Sequence, residues 1–427
     1  MLHKPMVDPS RPLFRRAALI PFFNGVAIVA ALALVLVPRL THSAVAISIY
    51  GALVMGYVIT KIVLAEVYRV RFARAPRLAT DQLGIDVAIA FFNEDKALIE
   101  ASINSVLSQE AVLLGRIIAV DDGSPSPDTA RHLEQVFRDE PRVQVIRYAQ
   151  NVGKRHALGM AFDHLVSPYA ALLDSDTILQ PMALANLLAR MDERTAAVTA
   201  NINALNRNAN WLSRLIDARY RSAFMIERAA QSVVGAALCA SGVLSVYRTG
   251  FLRAVKAEWT GQRLLGRQVQ FGDDRRLTAL ALKQGRVAIV LDAVASTQVP
   301  TSPIQFIKQQ LRWNKSFLRE SVLAVRDFGV LSFPGLFSFC ELFFWLFYLY
   351  TIGNTLIFDH VVGAWSIAAI WLSYVIASGL FRNVSLIIRE PRLVVLVPLY
   401  SVLHVLILTP LRLVALFTIL DNRWGTR

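Results

Sequence analysis

Long apolar segments lie near both ends of the chain, and a longer segment of short alternating apolar and polar runs lies between them. Residues 17–37 and 44–67 are each apolar and long enough to cross a bilayer as a helix. Residues 331–351 and 362–380 have the same character. The pattern therefore predicts a protein that crosses a membrane several times and carries one sizeable domain between its spans.

The last apolar run, 393–420, is interrupted by Pro398 and Pro410. A proline inside a helix removes a backbone hydrogen bond and clashes with the preceding turn, so it kinks or breaks the helix. The run is compatible with one broken span, with two short spans, or with a re-entrant element. The pattern leaves these three alternatives open.

The central segment begins near Asp81, where short apolar runs start to alternate with amphipathic ones. Strands are predicted at 85–92, 116–120, 142–147 and 169–173. The helices predicted between them are 96–107, 128–138 and 156–165. This alternation is typical of an α/β domain in which helices cover both faces of a mostly parallel sheet. Ligands bind such sheets beyond the carboxyl ends of the strands.

Two amphipathic segments follow the predicted sheet. Residues 211–231 form a predicted helix that either lies flat on a membrane or packs against the sheet, and the sequence favours neither. Residues 301–321 form a second, basic helix just ahead of the next apolar run. We therefore expect four parts: two N-terminal spans in 1–78, a catalytic domain in 79–300, an interfacial helix region in 301–328 and a C-terminal membrane region in 329–427.

Positive charge is concentrated beside the apolar runs. The 427 residues include 45 Lys and Arg against 31 Asp and Glu, a net charge of +14. Arg69, Arg71 and Arg74 follow the second apolar run, which marks that side as cytoplasmic. We expect a multi-pass protein of the plasma membrane with its central domain in the cytoplasm. The charge suits anionic lipid, a nucleotide or a polyanionic product; nucleic acid is not expected, because no basic stripe with interleaved aromatic residues is present.

The first candidate site pairs Asp121 with Asp122, directly after a predicted strand, in the run VDDGS. Adjacent carboxylates at a strand end accept hydrogen bonds from a uracil N–H and from ribose hydroxyls. An ordinary Asp-Gly turn is the alternative, and it is a common one. Lys154 lies in the basic run NVGKR, which can approach a nucleotide or can simply form a solvated turn.

The second candidate site is the pair Asp174 and Asp176, also placed after a strand. Two acids one residue apart suit a divalent cation that bridges a nucleotide diphosphate, since Mg²⁺ and Mn²⁺ prefer carboxylate and phosphate oxygens. The rival interpretation is a helix cap ahead of Leu179.

The third candidate site is Asp273 and Asp274 in the run FGDDR. A sugar transfer that inverts the anomeric carbon needs one carboxylate to deprotonate the attacking hydroxyl. We assign that role to Asp274, with Asp273 orienting it or balancing charge. A helix start with acids near its N-terminus is the structural alternative.

The fourth candidate site places Gln309, Arg312 and Trp313 within about one helical turn of each other. A guanidinium beside an indole can hold a pyrophosphate leaving group and stack a sugar ring. A basic helix of this kind can also serve only as an anchor. The sequence contains neither a P-loop nor a GxGxxG run, so a kinase or a dinucleotide enzyme has no support.

In their order along the chain, these motifs resemble those of the processive, membrane-embedded family 2 glycosyltransferases, and most of all the class I hyaluronan synthases of the streptococcal type. The resemblance rests on VDDGS (120–124), NVGKRHA (151–157), DSDT (174–177), ERAAQSV (227–233), SGVLSVYR (241–248), GDDRRLT (272–278), QQLRWNKSFLRES (309–321) and WGTR (424–427). QxxRW is shared by processive synthases as a group, whereas RWNKSF with a terminal WGTR points to hyaluronan synthases.

The resemblance implies a GT-A-like fold and a role for each motif. Mg²⁺ or Mn²⁺ would be held by Asp176 and Asp174, and the base would be Asp274. The acceptor pocket would include Ser241, Gly242 and Trp313. UDP would be contacted by Asp121, Asp122, Lys154, Asp174, Arg312 and a closing segment with Trp424, Thr426 and Arg427; the catalytic group would comprise Asp273, Asp274, Gln309, Arg312 and Trp313.

The implied activity is the alternate transfer of N-acetylglucosamine and glucuronate from UDP-sugars to a growing polysaccharide that leaves through the spans, in contact with membrane lipid. The nearest rival is a chitin-oligosaccharide synthase, a group that shares QxxRW but tends to carry Glu where this chain has Asp273. One departure from the resembled family is Val243, where Pro is usual, which loosens the backbone beside the acceptor site. The sequence makes no prediction of oligomeric state.

Overall fold

The computed structural model describes residues 43–358 and 364–421, and its elements are numbered in chain order. The predicted span 17–37 and the residues Trp424, Thr426 and Arg427 lie outside the described residues. The strands are β1 (Gly84–Phe91), β2 (Leu113–Asp121), β3 (Val143–Arg147), β4 (Tyr169–Asp174), β5 (Thr177–Leu179), β6 (Thr195–Ala204), β7 (Leu244–Arg248), β8 (Arg263–Leu264), β9 (Arg267–Gln268) and β10 (Arg286–Thr297). The helices are α1 (Ser43–Arg74), α2 (Lys96–Leu107), α3 (Asp128–Val136), α4 (Lys154–His164), α5 (Ala183–Leu188), α6 (Trp211–Ser222), α7 (Ala229–Ser232), α8 (Thr249–Thr260), α9 (Asp273–Leu282), α10 (Pro303–Phe328), α11 (Phe333–Phe358), α12 (Ala364–Arg382), α13 (Val384–Arg389), α14 (Leu393–Leu403) and α15 (Thr409–Phe417).

Eight strands form one sheet in the order β3-β2-β1-β4-β7-β6-β10-β5. The neighbours β3, β2, β1 and β4 run parallel, as do β6 and β10. β7 is antiparallel to both of its neighbours, and β5 is antiparallel to β10. Every residue of β1 is buried, as expected for a strand covered on both faces. The predicted α/β fold with a mostly parallel sheet is confirmed.

The local sequence signals locate most elements of the parallel half. α2 has the predicted bounds, and it begins after Asp95, whose carboxylate accepts a hydrogen bond from the backbone N–H of Leu98 at 3.0 Å. The segment predicted as one helix at 211–231 is α6 and α7 joined by a π-helical turn, Ala223–Arg228. α6 packs against both β6 and α14, so it connects the sheet to the apolar helices.

Three stretches within the described residues are long and apolar enough to cross a membrane: Ile49–Arg74, Phe333–Thr351 and Leu393–Phe417. α12 covers the described part of the predicted span 362–380. These helices share a continuous apolar core with one face of the sheet, in which Tyr50 of α1 packs edge-on against Phe347 of α11 at 5.4 Å between ring centroids.

The proline-interrupted run is one continuous helical segment from Leu393 to Phe417. A π-helical turn, His404–Leu408, joins α14 to α15 just ahead of Pro410. The backbone N–H and the hydroxyl of Thr409 both donate to the carbonyl of His404, the hydroxyl at 3.1 Å, which closes this wider turn. The run is therefore one helical segment with a local irregularity, as the alternative of one broken span requires.

Candidate active site

A cavity of about 1170 Å³ opens beyond the carboxyl ends of β1 and β4 and extends to the N-terminal half of α10. Every predicted site residue in the described part of the chain lines this cavity, with the exception of Asp121. The residues brought together are Asp122, Lys154, Asp174, Asp176, Ser241, Gly242, Asp273, Asp274, Gln309, Arg312 and Trp313. Segments far apart in the sequence thus meet at one edge of the sheet, as the parallel topology requires.

The two acids of VDDGS lie in different surroundings. Asp121 is fully buried, and its carboxylate accepts hydrogen bonds from the Ser124 hydroxyl at 2.5 Å and from Arg147 Nε at 3.1 Å. Asp122 does face the cavity, where its carboxylate accepts hydrogen bonds from the backbone N–H groups of Val152 and Gly153 at 2.9 and 3.1 Å. Burial raises the pKa of Asp122. Asp121 therefore braces the strand end, while Asp122 shapes the loop that leads into α4.

Lys154, the first residue of α4, lies between two of the candidate sites. Its ammonium forms an ion pair with Asp174 and lies 3.8 Å from Oδ2 of Asp273. Burial alone would lower the pKa of Lys154, but the charges of Asp174 and Asp273 outweigh it and raise that pKa. A Cβ atom on Gly242 would lie 3.3 Å from Nζ of Lys154, so the small residue leaves room for this ammonium.

Asp174 ends β4, and Asp176 lies in the two-residue turn that leads to β5. Oδ1 of Asp176 accepts a hydrogen bond from the Thr297 hydroxyl at 2.8 Å, and the Ser175 hydroxyl between the two acids donates to Glu94 at 2.6 Å. A strand follows this turn, so the interpretation of these acids as a helix cap is wrong. Among the described residues, no group of three or more His, Cys, Asp or Glu side chains could hold a metal ion.

Asp273 and Asp274 are the first two residues of α9, as the interpretation of a helix start predicts. Both also line the cavity, as a role in the sugar transfer requires. Gly272 precedes them with φ of +80°, and Trp259 Nε1 donates to the carbonyl of Asp273 at 2.9 Å. Burial, followed by the charge of Asp273, raises the pKa of Asp274. A carboxylate with a raised pKa is a stronger proton acceptor once it is ionised, which suits a general base.

α10 presents Gln309, Arg312 and Trp313 to the cavity on one face. Trp313 is 43% exposed, and its ring lies 6.3 Å from that of Tyr220 on α6. A sugar ring can stack on such an exposed indole. Tyr220 also lines the cavity, and burial, followed by the charges of Asp176 and Asp174, raises its pKa.

A buried polar network holds α10 against the start of α9. Arg319 Nη2 donates to the carbonyl of Phe271 at 2.7 Å, and Nε of the same guanidinium donates to Glu320 at 2.7 Å. Glu320 in turn accepts from Gln262 at 2.8 Å, and Gln262 accepts from Arg155 at 2.8 Å. The network connects the motif NVGKRHA, the residue before GDD and the motif RWNKSFLRES. These buried hydrogen bonds therefore hold the three segments at fixed positions relative to one another around the cavity.

Sequence reasoning missed several residues that complete the site, among them Tyr220, Glu94, Thr297 and Cys239. Tyr220 and Thr297 carry no local signal, since each is an ordinary residue of a helix or a strand. A signal for Cys239 existed, because it stands two residues before the predicted acceptor residue Ser241.

Comparison with known proteins agrees with this geometry. The model of the family "Glycosyl transferase family 2" matches residues 86–255. A hyaluronan synthase of Streptococcus pyogenes is 36% identical over 389 residues, which cover 89% of this chain and 91% of that protein. An N-acetylglucosaminyltransferase of Azorhizobium caulinodans is 33% identical over 354 residues, 80% of this chain and 87% of that protein.

A solved structure shares the fold at low sequence identity. It is a mannosyltransferase of Pyrobaculum calidifontis in complex with GDP-Man and Mn²⁺, which is 16% identical and superposes with a TM-score of 0.57 over 89% of this chain and 99% of its own. The sequence relatives, rather than this similarity of fold, identify the family. The chain belongs to the family 2 glycosyltransferases, and within them to the group that contains the hyaluronan synthases of Streptococcus pyogenes.

Proposed function

We propose that the protein is a processive, inverting glycosyltransferase that polymerises UDP-GlcNAc and UDP-GlcA into hyaluronan and extrudes the polymer across the membrane. The observation that carries the proposal is the meeting of Asp174, Asp176, Asp274, Arg312 and Trp313 in one cavity. Those groups are what a transfer from a nucleotide sugar needs. The identity of the donors rests on the similarity to the streptococcal hyaluronan synthase.

The nucleotide end of the cavity is assigned to the loop between β3 and α4 and to the acids beside it. In this proposal Asp122 contacts uridine, and Lys154 contacts the diphosphate when a donor displaces part of its ion pair with Asp174. Asp121 contributes by holding the strand end through Ser124 and Arg147, because its carboxylate is buried away from the cavity. Trp424, Thr426 and Arg427 are proposed to close over the nucleotide, as the resemblance implies.

The acids Asp174 and Asp176 fit a divalent cation. Both offer carboxylate oxygens to the cavity, and a site with two protein carboxylates leaves positions for the phosphate oxygens of a substrate, the arrangement that Mg²⁺ favours. The Thr297 hydroxyl orients Asp176 by donating to its Oδ1. When bound, Mg²⁺ or Mn²⁺ neutralises the diphosphate charge. The fold neighbour's Mn²⁺ supports a divalent cation of this class.

The transfer itself is assigned to Asp274 and Arg312. Asp274 removes the proton from the acceptor hydroxyl, which attacks the anomeric carbon of the donor, and the bond from that carbon to the UDP oxygen breaks with inversion. Arg312 stabilises the negative charge that develops on the departing UDP, a role worth about 3 kcal/mol for donors of this kind. Trp313, with Gln309, Ser241 and Gly242, positions the acceptor sugar, and Asp273 keeps the ammonium of Lys154 beside the diphosphate.

The membrane arrangement follows from the apolar helices and from charge. We propose that residues 79–300 form a cytoplasmic catalytic domain, that 301–328 lie at the interface, and that 1–78 and 329–427 supply the spans of a multi-pass plasma-membrane protein. The basic residues that end α1, Arg71 and Arg74, support this orientation. In this arrangement the polymer leaves the acceptor side of the cavity between the spans, surrounded by membrane lipid.

Incorporation of labelled donors by the purified protein in vesicles tests the proposal. UDP-GlcNAc and UDP-GlcA are supplied singly and together, with Mg²⁺ or with Mn²⁺, and the product is treated with hyaluronidase. The proposal predicts long polymer only when both donors are present, and complete degradation by the enzyme. Short products from UDP-GlcNAc alone would instead assign the chain the activity in the name of its Azorhizobium relative, and Val243 would then be the first residue to replace.

A further inference from the structure

The carboxylate of Asp274 carries a hydrogen bond on each oxygen. Oδ1 accepts from the backbone N–H of Arg275 at 2.7 Å, and Oδ2 accepts from the thiol of Cys239 at 3.2 Å. The first contact lies within the same helix turn. The second contact comes from the segment that precedes β7, 35 positions earlier in the chain. It is therefore a feature of the tertiary structure and not of the helix start.

Backbone contacts fix the segment that carries Cys239. Its carbonyl accepts a hydrogen bond from Arg228 Nε at 2.9 Å, and the next backbone N–H, that of Ala240, donates to the Thr278 hydroxyl at 2.8 Å. The same hydroxyl donates to the carbonyl of Asp274 at 2.6 Å. The segment that carries Cys239 and the start of α9 are thus joined twice, once by the thiol and the carboxylate and once by backbone groups through Thr278. Cys239 is only 8% exposed.

The thiol remains a donor at neutral pH. Burial, and then the charge of Asp274, raises the pKa of Cys239 to about 11, so the sulfur stays protonated. A thiol is a weaker donor than a hydroxyl, so it can orient a carboxylate while withdrawing little of its basicity. The other charged or titratable groups that act on this pair are Asp273, Arg275, Arg228, Lys154 and Tyr247.

We propose that Cys239 is a positioning residue for the base, and that its S–H group holds Oδ2 of Asp274 so that the carboxylate keeps one orientation toward the acceptor hydroxyl. This inference rests on the proposed role of Asp274. It extends that role, because it makes the identity of the donor at position 239 a determinant of how basic Asp274 is.

Two substitutions with opposite expected effects test the proposal. Cys239→Ala removes a donor that favours the ionised carboxylate, so the acid limb of the kcat/KM profile moves to higher pH. Cys239→Ser supplies a stronger donor, so the acid limb moves to lower pH. Each shift is expected to be about half a pH unit. Cys340→Ala is the matched control, since Cys340 is the other cysteine of the chain, is buried in α11, and leaves the limb unchanged.

A merely structural role for Cys239 would lower turnover in both variants without separating their acid limbs. Coincident acid limbs for Cys239→Ala, Cys239→Ser and the wild type would therefore overturn the proposal. The proposal is supported if the acid limb lies at the lowest pH in Cys239→Ser, at an intermediate pH in the wild type and at the highest pH in Cys239→Ala.

A spectroscopic measurement keeps this test independent of turnover. In the Cys340→Ala background the S–H stretching band in the infrared spectrum belongs to Cys239, since the chain has 2 cysteines. We expect the band at the low frequency of a hydrogen-bonded thiol, and a shift to higher frequency when Asp274→Ala removes the acceptor. A band that stays at one frequency in both proteins would contradict the contact, whatever polymer the enzyme makes.

Discussion

Gly272 is the point at which the helix of the proposed base meets the helix of the QxxRW motif. Its φ of +80° lies in the left-handed region, and a Cβ atom there would lie 2.1 Å from Oγ of Ser316 and 2.6 Å from Nη2 of Arg319. Both neighbours belong to α10, which also carries Arg312 and Trp313. We predict that Gly272→Ala separates α9 from α10 and damages both stability and catalysis.

The magnitude follows from two costs that a matched variant separates. An alanine in the left-handed region costs roughly 1–2 kcal/mol, and overpacking at a buried contact adds about 1–3 kcal/mol. Gly266 has nearly the same φ, +78°, and a Cβ atom added there would meet nothing within 4 Å. Gly266→Ala therefore bears the first cost alone, whereas Gly272→Ala bears both, a total of about 2–5 kcal/mol.

The assay combines thermal unfolding of the purified protein with the rate of sugar transfer. Gly266→Ala should unfold at a slightly lower temperature with turnover close to that of the wild type. Gly272→Ala should unfold at a still lower temperature. If the clash displaces Asp274 from Arg312 by roughly 1 Å, turnover should fall by about 100-fold. Ser316→Gly added to Gly272→Ala removes part of the clash and should recover part of both losses. Equal behaviour of the two glycine variants would refute the reasoning.

Three further predictions concern the groups that face the cavity. Asp274→Asn abolishes polymer synthesis but leaves UDP binding, measured by calorimetry, largely intact. Burial raises the pKa of Asp274, so ionisation of this carboxyl opposes folding. In pH-dependent unfolding the variant is therefore more stable than the wild type above that pKa and equal to it at low pH. A parallel loss of UDP affinity would remove Asp274 from the role of base. Arg312→Ala lowers turnover by about 100-fold and donor affinity much less, and normal turnover would exclude a leaving-group role. Thr297→Val, which removes the hydrogen bond to Asp176, raises the Mg²⁺ or Mn²⁺ concentration for half-maximal turnover by about tenfold, and an unchanged metal titration would exclude the role of Thr297 in orienting Asp176.

The sequence predicted those parts of the fold that local patterns encode. The bounds of α2 and the alternation from β1 to β4 follow from apolar runs and a capping residue, Asp95, that act over a few positions. The insertion of β7 between β4 and β6 was not predicted, because strand neighbours distant in sequence leave no local pattern. The continuity of the helix across Pro410 was also open, since it depends on a π-helical turn that composition does not signal.

The candidate site was predicted as a set of motifs but not as a set of contacts. Asp121 and Asp122 are adjacent in the sequence and look equivalent, yet alternation along a strand end sends one carboxylate to Arg147 and the other to the cavity. The network of Arg155, Gln262 and Glu320 could not be foreseen, because buried polar groups are distinguished from exposed ones only once the chain is folded.

The central claim is that one cavity with one base transfers both sugars. Single-step transfer with the wild type and with Asp274→Asn tests it directly, using UDP-GlcNAc with an acceptor that ends in glucuronate and UDP-GlcA with an acceptor that ends in N-acetylglucosamine. We predict that the wild type performs both transfers and that the variant loses both to the same extent. Survival of either transfer in the variant would contradict the account, because a second base would then have to serve that donor.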